Sequence, residues 1–105
     1  MGKLDIAVEL TKKGTTLLRL SGEFENDSVI SSKEELLGYV ESAQKDLFMD
    51  FAAIAYIDSA GIGVLLEMAR IASDRGIQFG LLSVNDHVKK VLLITKVDKV
   101  LKIVE

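Results

Sequence analysis

Cysteine, proline and tryptophan are absent from this 105-residue chain, and histidine occurs once. Without cysteine there is no disulfide framework, no thiolate metal site and no cysteine nucleophile, which is compatible with a reducing compartment. Without proline, and without any Gly/Ser-rich or single-charge tract, no linker is visible. One domain over residues 1–105 is expected, and no internal repeat is found. No stretch approaches the roughly 20 apolar residues of a membrane span. Met1-Gly2-Lys3-Leu4-Asp5 lacks the uninterrupted apolar core of a signal peptide, so a cytoplasmic protein is expected. Lysine and arginine are not clustered and the net charge is -3, which argues against direct nucleic-acid binding. What the chain does contain is 49% hydrophobic residues. That is enough for a real core, since domains near this size bury roughly two-thirds of their unfolded surface.

Periodicity divides the chain into alternating elements. Leu4, Ile6, Val8 and Leu10 alternate with Asp5, Ala7 and Glu9, the period of a strand with one buried face. A turn at Lys12-Lys13-Gly14 leads into the β-branched and apolar run Thr15–Leu20, so the two strands predict an antiparallel hairpin that ends at Ser21-Gly22-Glu23. Between Phe24 and Asp46 the period becomes helical, with Val29, Ile30, Leu36, Leu37, Val40 and Ala43 on one side. Asn26, Asp27 and Ser28 are candidate caps there, and Ser31 with Glu34 or Ser32 with Glu35 has capping-box spacing. Gly38 weakens this helix unless it permits a close backbone approach.

A third strand is expected over about Leu47–Phe51, with residues 52–57 carrying the chain to a turn. Ile62, Leu65, Leu66, Ala69 and Ala72 then mark a helix over about Ser59–Asp74, and Gly76 is its expected stop. Ile77, Phe79 and Leu81 alternate as a fourth strand. A third helix opens at Asn85-Asp86, with Val88, Val91 and Leu92 inward and Lys89 and Lys90 outward. Val100–Val104, interrupted by Lys102, reads as a short edge strand. The order β-β-α-β-α-β-α-β predicts a single α/β domain with a mixed, mostly parallel sheet of about five strands, an antiparallel N-terminal strand and three or four helices.

The turn Ile57-Asp58-Ser59-Ala60-Gly61-Ile62-Gly63 is the candidate site. On local physics alone it reads first as a helix cap, with Asp58 or Ser59 accepting from backbone N–H groups that lack helical partners. A serine hydroxyl at that position also lies at the positive end of the helix dipole, where a phosphate is stabilised. Competing chemistry lacks its residues. The phosphate-loop ending and a complete G-x-G-x-x-G are missing, and Ser59 sits in Ile-Asp-Ser-Ala-Gly rather than in the G-x-S-x-G of an esterase. His87 is the only histidine and opens an amphipathic helix, without a companion catalytic motif. Asp50, at a strand end, is expected to bond nearby loop amides. No enzymatic activity, cofactor or metal is expected.

Leu47-Phe48-Met49-Asp50-Phe51 followed by Tyr56-Ile57-Asp58-Ser59-Ala60-Gly61-Ile62-Gly63-Val64-Leu65 resembles the signature of STAS domains, specifically the bacterial anti-sigma factor antagonists. Leu20-Ser21-Gly22-Glu23-Phe24 and Val88-Lys89-Lys90-Val91-Leu92 support the resemblance, which covers essentially the whole chain. It implies that Ser59 is phosphorylated by a partner that is both a serine kinase and an anti-sigma factor. The unphosphorylated form would bind that partner and free the sigma factor, and a PP2C-type phosphatase would restore it. Asp58, Ser59, Ala60, Gly61, Ile62 and Gly63, with Asn26 and Glu23, would form the partner surface. Many members carry serine where this chain has Ala60, so Ser59 is the only hydroxyl in the turn. An alternative within the same resemblance is an STAS scaffold or regulatory subunit of a transporter or sensory complex that is never phosphorylated.

Overall fold

The computed structural model describes residues 3–104. Strand β1 (Leu4–Leu10) pairs antiparallel with β2 (Thr16–Phe24). The hairpin turn closes on Thr11, whose Oγ1 accepts from Thr15 N at 3.1 Å while its own N–H donates to Thr15 O at 2.9 Å. The chain continues through α1 (Asn26–Ser31), α2 (Lys33–Ser42), β3 (Leu47–Ile57), α3 (Ser59–Arg75), β4 (Phe79–Leu82), α4 (Asp86–Ile94), a 3-10 turn at Val97–Lys99 and β5 (Lys102–Val104). The sheet order is β1-β2-β3-β4-β5, parallel at every pairing except the first. The α/β class, the mixed sheet and the antiparallel edge therefore agree with the expectation.

The core lies between sheet and helices. Leu18, Leu20 and Phe24 of β2, Leu47, Met49 and Phe51 of β3, and Leu81 of β4 are buried against Leu36 and Val40 of α2, Leu65 and Met68 of α3, and Leu92 of α4. Phe24 and Phe51 meet with ring centroids 5.0 Å apart at 56°. This tilted arrangement sits directly under the candidate turn and fixes the ends of β2 and β3 relative to one another.

Several boundaries differ from the sequence reading, each for a local reason. The helix expected between Phe24 and Asp46 is two helices, because the chain tightens at Ser32, where the N–H bonds Val29 O and the backbone sits at φ -97°, ψ 0°. Neither helix is capped by a side chain of the Asn26–Ser28 or Ser31/Ser32 sets, so the capping box does not form. Glu35 instead accepts from the Tyr39 hydroxyl at 2.8 Å. An added Cβ at Gly38 would meet nothing within 4 Å, so packing gives no reason for that glycine.

β2 runs on to Phe24 and β3 to Ile57, six residues past Phe51. The extension is hidden from a period-2 reading by two register shifts. Arg19 and Ser21 pair with Asp50 and Ala53, and Gly22 and Phe24 pair with Ile54 and Ile57, so β3 inserts an extra residue twice. Asp50 Oδ1 accepts from Ala52 N at 2.9 Å at the first shift; both residues lie within β3, so Asp50 is not at a strand end and the amide it satisfies belongs to a bulged strand rather than to a loop.

Four apolar positions assigned to buried faces are exposed: Val8 49%, Leu10 68%, Ile30 57% and Leu66 43%. Only Leu4 is buried on that face of β1, an edge strand paired on one side alone, and Val8 and Leu10 line an open recess with Tyr39 and Ser42 of α2. β5 begins at Lys102 rather than Val100, since Val100 N closes the preceding 3-10 turn onto Val97 O. Gly76 ends α3 in the left-handed conformation, as expected.

Candidate functional site

The β3–α3 turn is built around one carboxylate. Asp58 has extended backbone and its Oδ1 accepts from Gly61 N at 3.0 Å, capping the 17-residue α3. Its Oδ2 accepts from Asn26 N, also at 3.0 Å. A single side chain thus fixes the start of α3 and the start of α1, elements that are distant in sequence. Asn26 presents its N–H from the left-handed region, φ 47°, which asparagine tolerates better than most residues.

Ser59 is the first residue of α3 and is exposed, while Ala60 and Ile62 are half-buried against the core. The two glycines divide in role. A Cβ at Gly61 would lie 2.5 Å from Phe24 O and 2.7 Å from Ile57 Cγ1, so this position lets α3 seat on the ends of β2 and β3. Gly63 is exposed, and a Cβ there would meet nothing within 4 Å. Its lack of a side chain serves no contact inside the molecule.

Around the turn the surface is acidic and aromatic. Tyr56, at the end of β3, is 47% exposed and packs edge-on against the ring of His87, centroids 6.2 Å apart at 72°. The Tyr56 hydroxyl lies against the Glu25 carboxylate. That contact first, then burial, then the charges of Glu25, Asp58 and Glu23 push its pKa above the usual tyrosine value. Glu25 is the one buried charged residue among those described, and its Oε2 has no hydrogen-bond partner there. Glu23 and Asn26 are exposed and line an open recess with Lys3, Asp27 and Ser31.

The structure therefore gathers Asp58–Gly63 with Asn26 through a direct bond, and Glu23 through the shared electrostatics at Tyr56. Sequence reasoning missed Glu25 and Tyr56. Strand alternation after buried Phe24 puts Glu25 outward, but the chain turns there into α1 and buries it. No periodic signal marks that change. His87 forms no hydrogen bond with Ser59 among the described residues. Nor is any cluster of three or more histidine or carboxylate side chains among them placed to hold a metal ion. No described helix is long and apolar enough to cross a membrane.

Solved structures with this fold include a candidate anti-sigma factor antagonist from Thermotoga maritima, 21% identical with a TM-score of 0.81 over 95% of this chain and 86% of that one. An anti-sigma factor antagonist (STAS) domain protein from Planctomyces limnophilus is 23% identical, TM-score 0.79, over 94% and 88% of the two chains. The Bacillus cell fate determinant SpoIIAA in its phosphorylated form is 19% identical, TM-score 0.71, over 96% and 92%. At these identities the likeness establishes the fold. The family model described as Mlab, STAS domain, matches residues 8–105, and on that match over nearly its whole length the chain belongs to the STAS domain family.

Proposed function

We propose that this protein is a non-enzymatic anti-sigma factor antagonist switched by phosphorylation of Ser59. The observation that carries the reading is an exposed serine at the first position of α3, on a turn held by Asp58. It is supported by the antagonists that share the fold, one of them described in a phosphorylated form. A kinase-like anti-sigma factor transfers the γ-phosphoryl group of ATP to Ser59 Oγ, the hydroxyl proton leaves, and ADP is released. Before that transfer the antagonist occupies the kinase and the sigma factor is free. A PP2C-type phosphatase hydrolyses the ester and resets the switch.

The phosphate adds about -1.5 to -2 charges at pH 7. The unpaired N–H groups and dipole of α3 stabilise it within this domain. A partner packed closely over Ser59 and the bare backbone of Gly63 has no room for it. Phosphorylation thus weakens the complex and leaves the fold intact.

Affinity capture from the source cell with wild-type and Ser59→Asp bait tests the proposal. A kinase-like protein retained by the wild type and lost by the variant is expected. Equal retention by both would overturn the switch and favour an STAS scaffold or transporter subunit.

A further inference from the structure

We propose that the outer edge of β1 pairs with β1 of a second copy of this chain, antiparallel and centred on Val8, so that two five-stranded sheets join into one. The proposal is independent of the reading of Ser59. β1 is an edge strand with no strand beyond it among the described residues. Its hydrogen-bonding groups alternate in direction. Lys3 O accepts from Glu23 N and Thr11 N donates to Thr15 O, so the odd-numbered residues face β2. The N–H and C=O groups of Leu4, Ile6, Val8 and Leu10 therefore point outward along the whole strand. Natural edges are guarded by shortness, lysine, proline or a bulge. β5, the opposite edge, has three residues and carries Lys102. β1 has seven, with none of these guards and an unbroken register against β2.

Side chains point to the same occupant. Val8 and Leu10 are the exposed large apolar residues of β1, and they line a recess with Tyr39 and Ser42 of α2. A two-fold axis through Val8, perpendicular to the sheet, places α2 of both copies on the same side and merges the two recesses. Val8 then opposes the partner's Val8, and Leu10 opposes the partner's Ile6, which is half-buried in the free chain. On the other face Glu9 opposes the partner's Ala7 and keeps its own ion pair with Arg19 at 3.2 Å, while Asp5 opposes the partner's Thr11. The neighbouring registers fit less well. Centring on Ala7 sets Asp5 against the partner's Glu9 twice over, and like charges directly opposite destabilise a sheet. Centring on Ile6 opposes Lys3 and the partner's Glu9, an exposed pair of small effect, and leaves Leu10 in water beyond the partner's strand. Charge and apolar surface thus select one partner, this chain itself, and one register. The recess sits beside Thr16, which pairs with Leu47 at the start of β3, whereas Ser59 follows the end of β3, so both turns stay open in the dimer.

Analytical ultracentrifugation of the intact chain over a wide range of concentration tests the association. A reversible monomer–dimer equilibrium is expected, weakened at least tenfold in Val8→Lys, which sets two ammonium groups face to face. The register is read separately. The chain has no cysteine, so Val8→Cys carries a single thiol. Opposed residues of a hydrogen-bonded antiparallel pair stand about 5.5 Å apart at Cα, within reach of a disulfide. In either neighbouring register the two Cα atoms are at least about 7 Å apart, out of reach. Mild oxidation is therefore expected to link Val8→Cys into dimers at least tenfold faster than Ile94→Cys on α4, whose site is the more exposed of the two. A chain that stays monomeric throughout, a dimer unmoved by Val8→Lys, or equal linking rates in the two cysteine variants would each overturn the proposal. Val8→Lys is expected to melt with the wild type when both are monomeric, because the site is half exposed. Should it melt lower, the linking rates decide.

Discussion

Asp58 uses both oxygens on backbone amides, one at α3 and one at α1. Asp58→Asn keeps one acceptor but turns an NH2 group toward the second amide, so one bond is lost. The expected cost is about 1–2 kcal/mol of stability, read by urea unfolding. The two glycines beyond it should respond in opposite directions to alanine. Gly61→Ala drives a methyl into Phe24 O and Ile57 and should destabilise by about 1–3 kcal/mol. Gly63→Ala should stabilise by about 0.5–1 kcal/mol, because it restores helix propensity at an uncrowded site. Partner affinity measured beside melting would reveal the cost of that gain, with a loss of tenfold or more if the partner packs on this backbone.

Tyr56 gives a pH signature at the same scale. Its hydroxyl lies against Glu25, so ionising it places a second anion there, and its folded pKa is raised above the ordinary value of 10.0. The stabilising contact is fully present below about pH 10, the unfolded tyrosine pKa, and is lost as pH rises through the higher folded value. With Tyr39→Phe removing the only other tyrosine, phenolate absorbance should show Tyr56 titrating above the usual range. Glu25→Gln should bring it back toward 10, and an unchanged titration would show that Glu25 is not the cause.

Elements meet at the turn through a few polar side chains that reach between them. Asn85 caps α4 by accepting from Val88 N at 2.8 Å, and its Nδ2 donates to Ile54 O at 3.1 Å and Ala55 O at 2.9 Å. Aspartate would cap equally well but cannot donate. Asn85→Asp is expected to cost about 1–3 kcal/mol because it sets a charge against two carbonyls, and thermal unfolding checks it. Asn85 was legible as a helix start, since asparagine before an apolar period is local chemistry. Its grip on β3 was not, because that depends on where the bulged end of β3 passes. The same limit explains β3 itself. Leu47–Phe51 alternates cleanly, whereas Ile54 and Ile57 fall three apart, a spacing that only the pairing with β2 converts into strand. The break at Ser32 was hidden for the opposite reason: apolar residues on both sides of it keep a helical period, and the tightening is a backbone event.

At the scale of the whole molecule, the element order and the mixed sheet could be read from periodicity, because each crossover alternates a strand pattern with a helix pattern. The position of Ser59 at a strand-to-helix turn could be read as well. What could not be read is the company the turn keeps. Glu25 reaches it from between β2 and α1, Asn26 from the start of α1 and His87 from α4, brought there by the sheet order β2-β3-β4 and by the seating of α3 on Phe24. A rigid platform of this kind accepts a charge change on its surface without unfolding, and the switch is expected to act through docking alone. Incubation of the purified protein with its cognate anti-sigma kinase and ATP, followed by mass spectrometry and a binding measurement on the product, tests this most directly. The expected result is a single phosphate on Ser59, absent from Ser59→Ala, with at least tenfold weaker kinase binding and an unchanged melting temperature. An unmodified Ser59, or a phosphorylated form that binds the kinase as tightly as before, would contradict it.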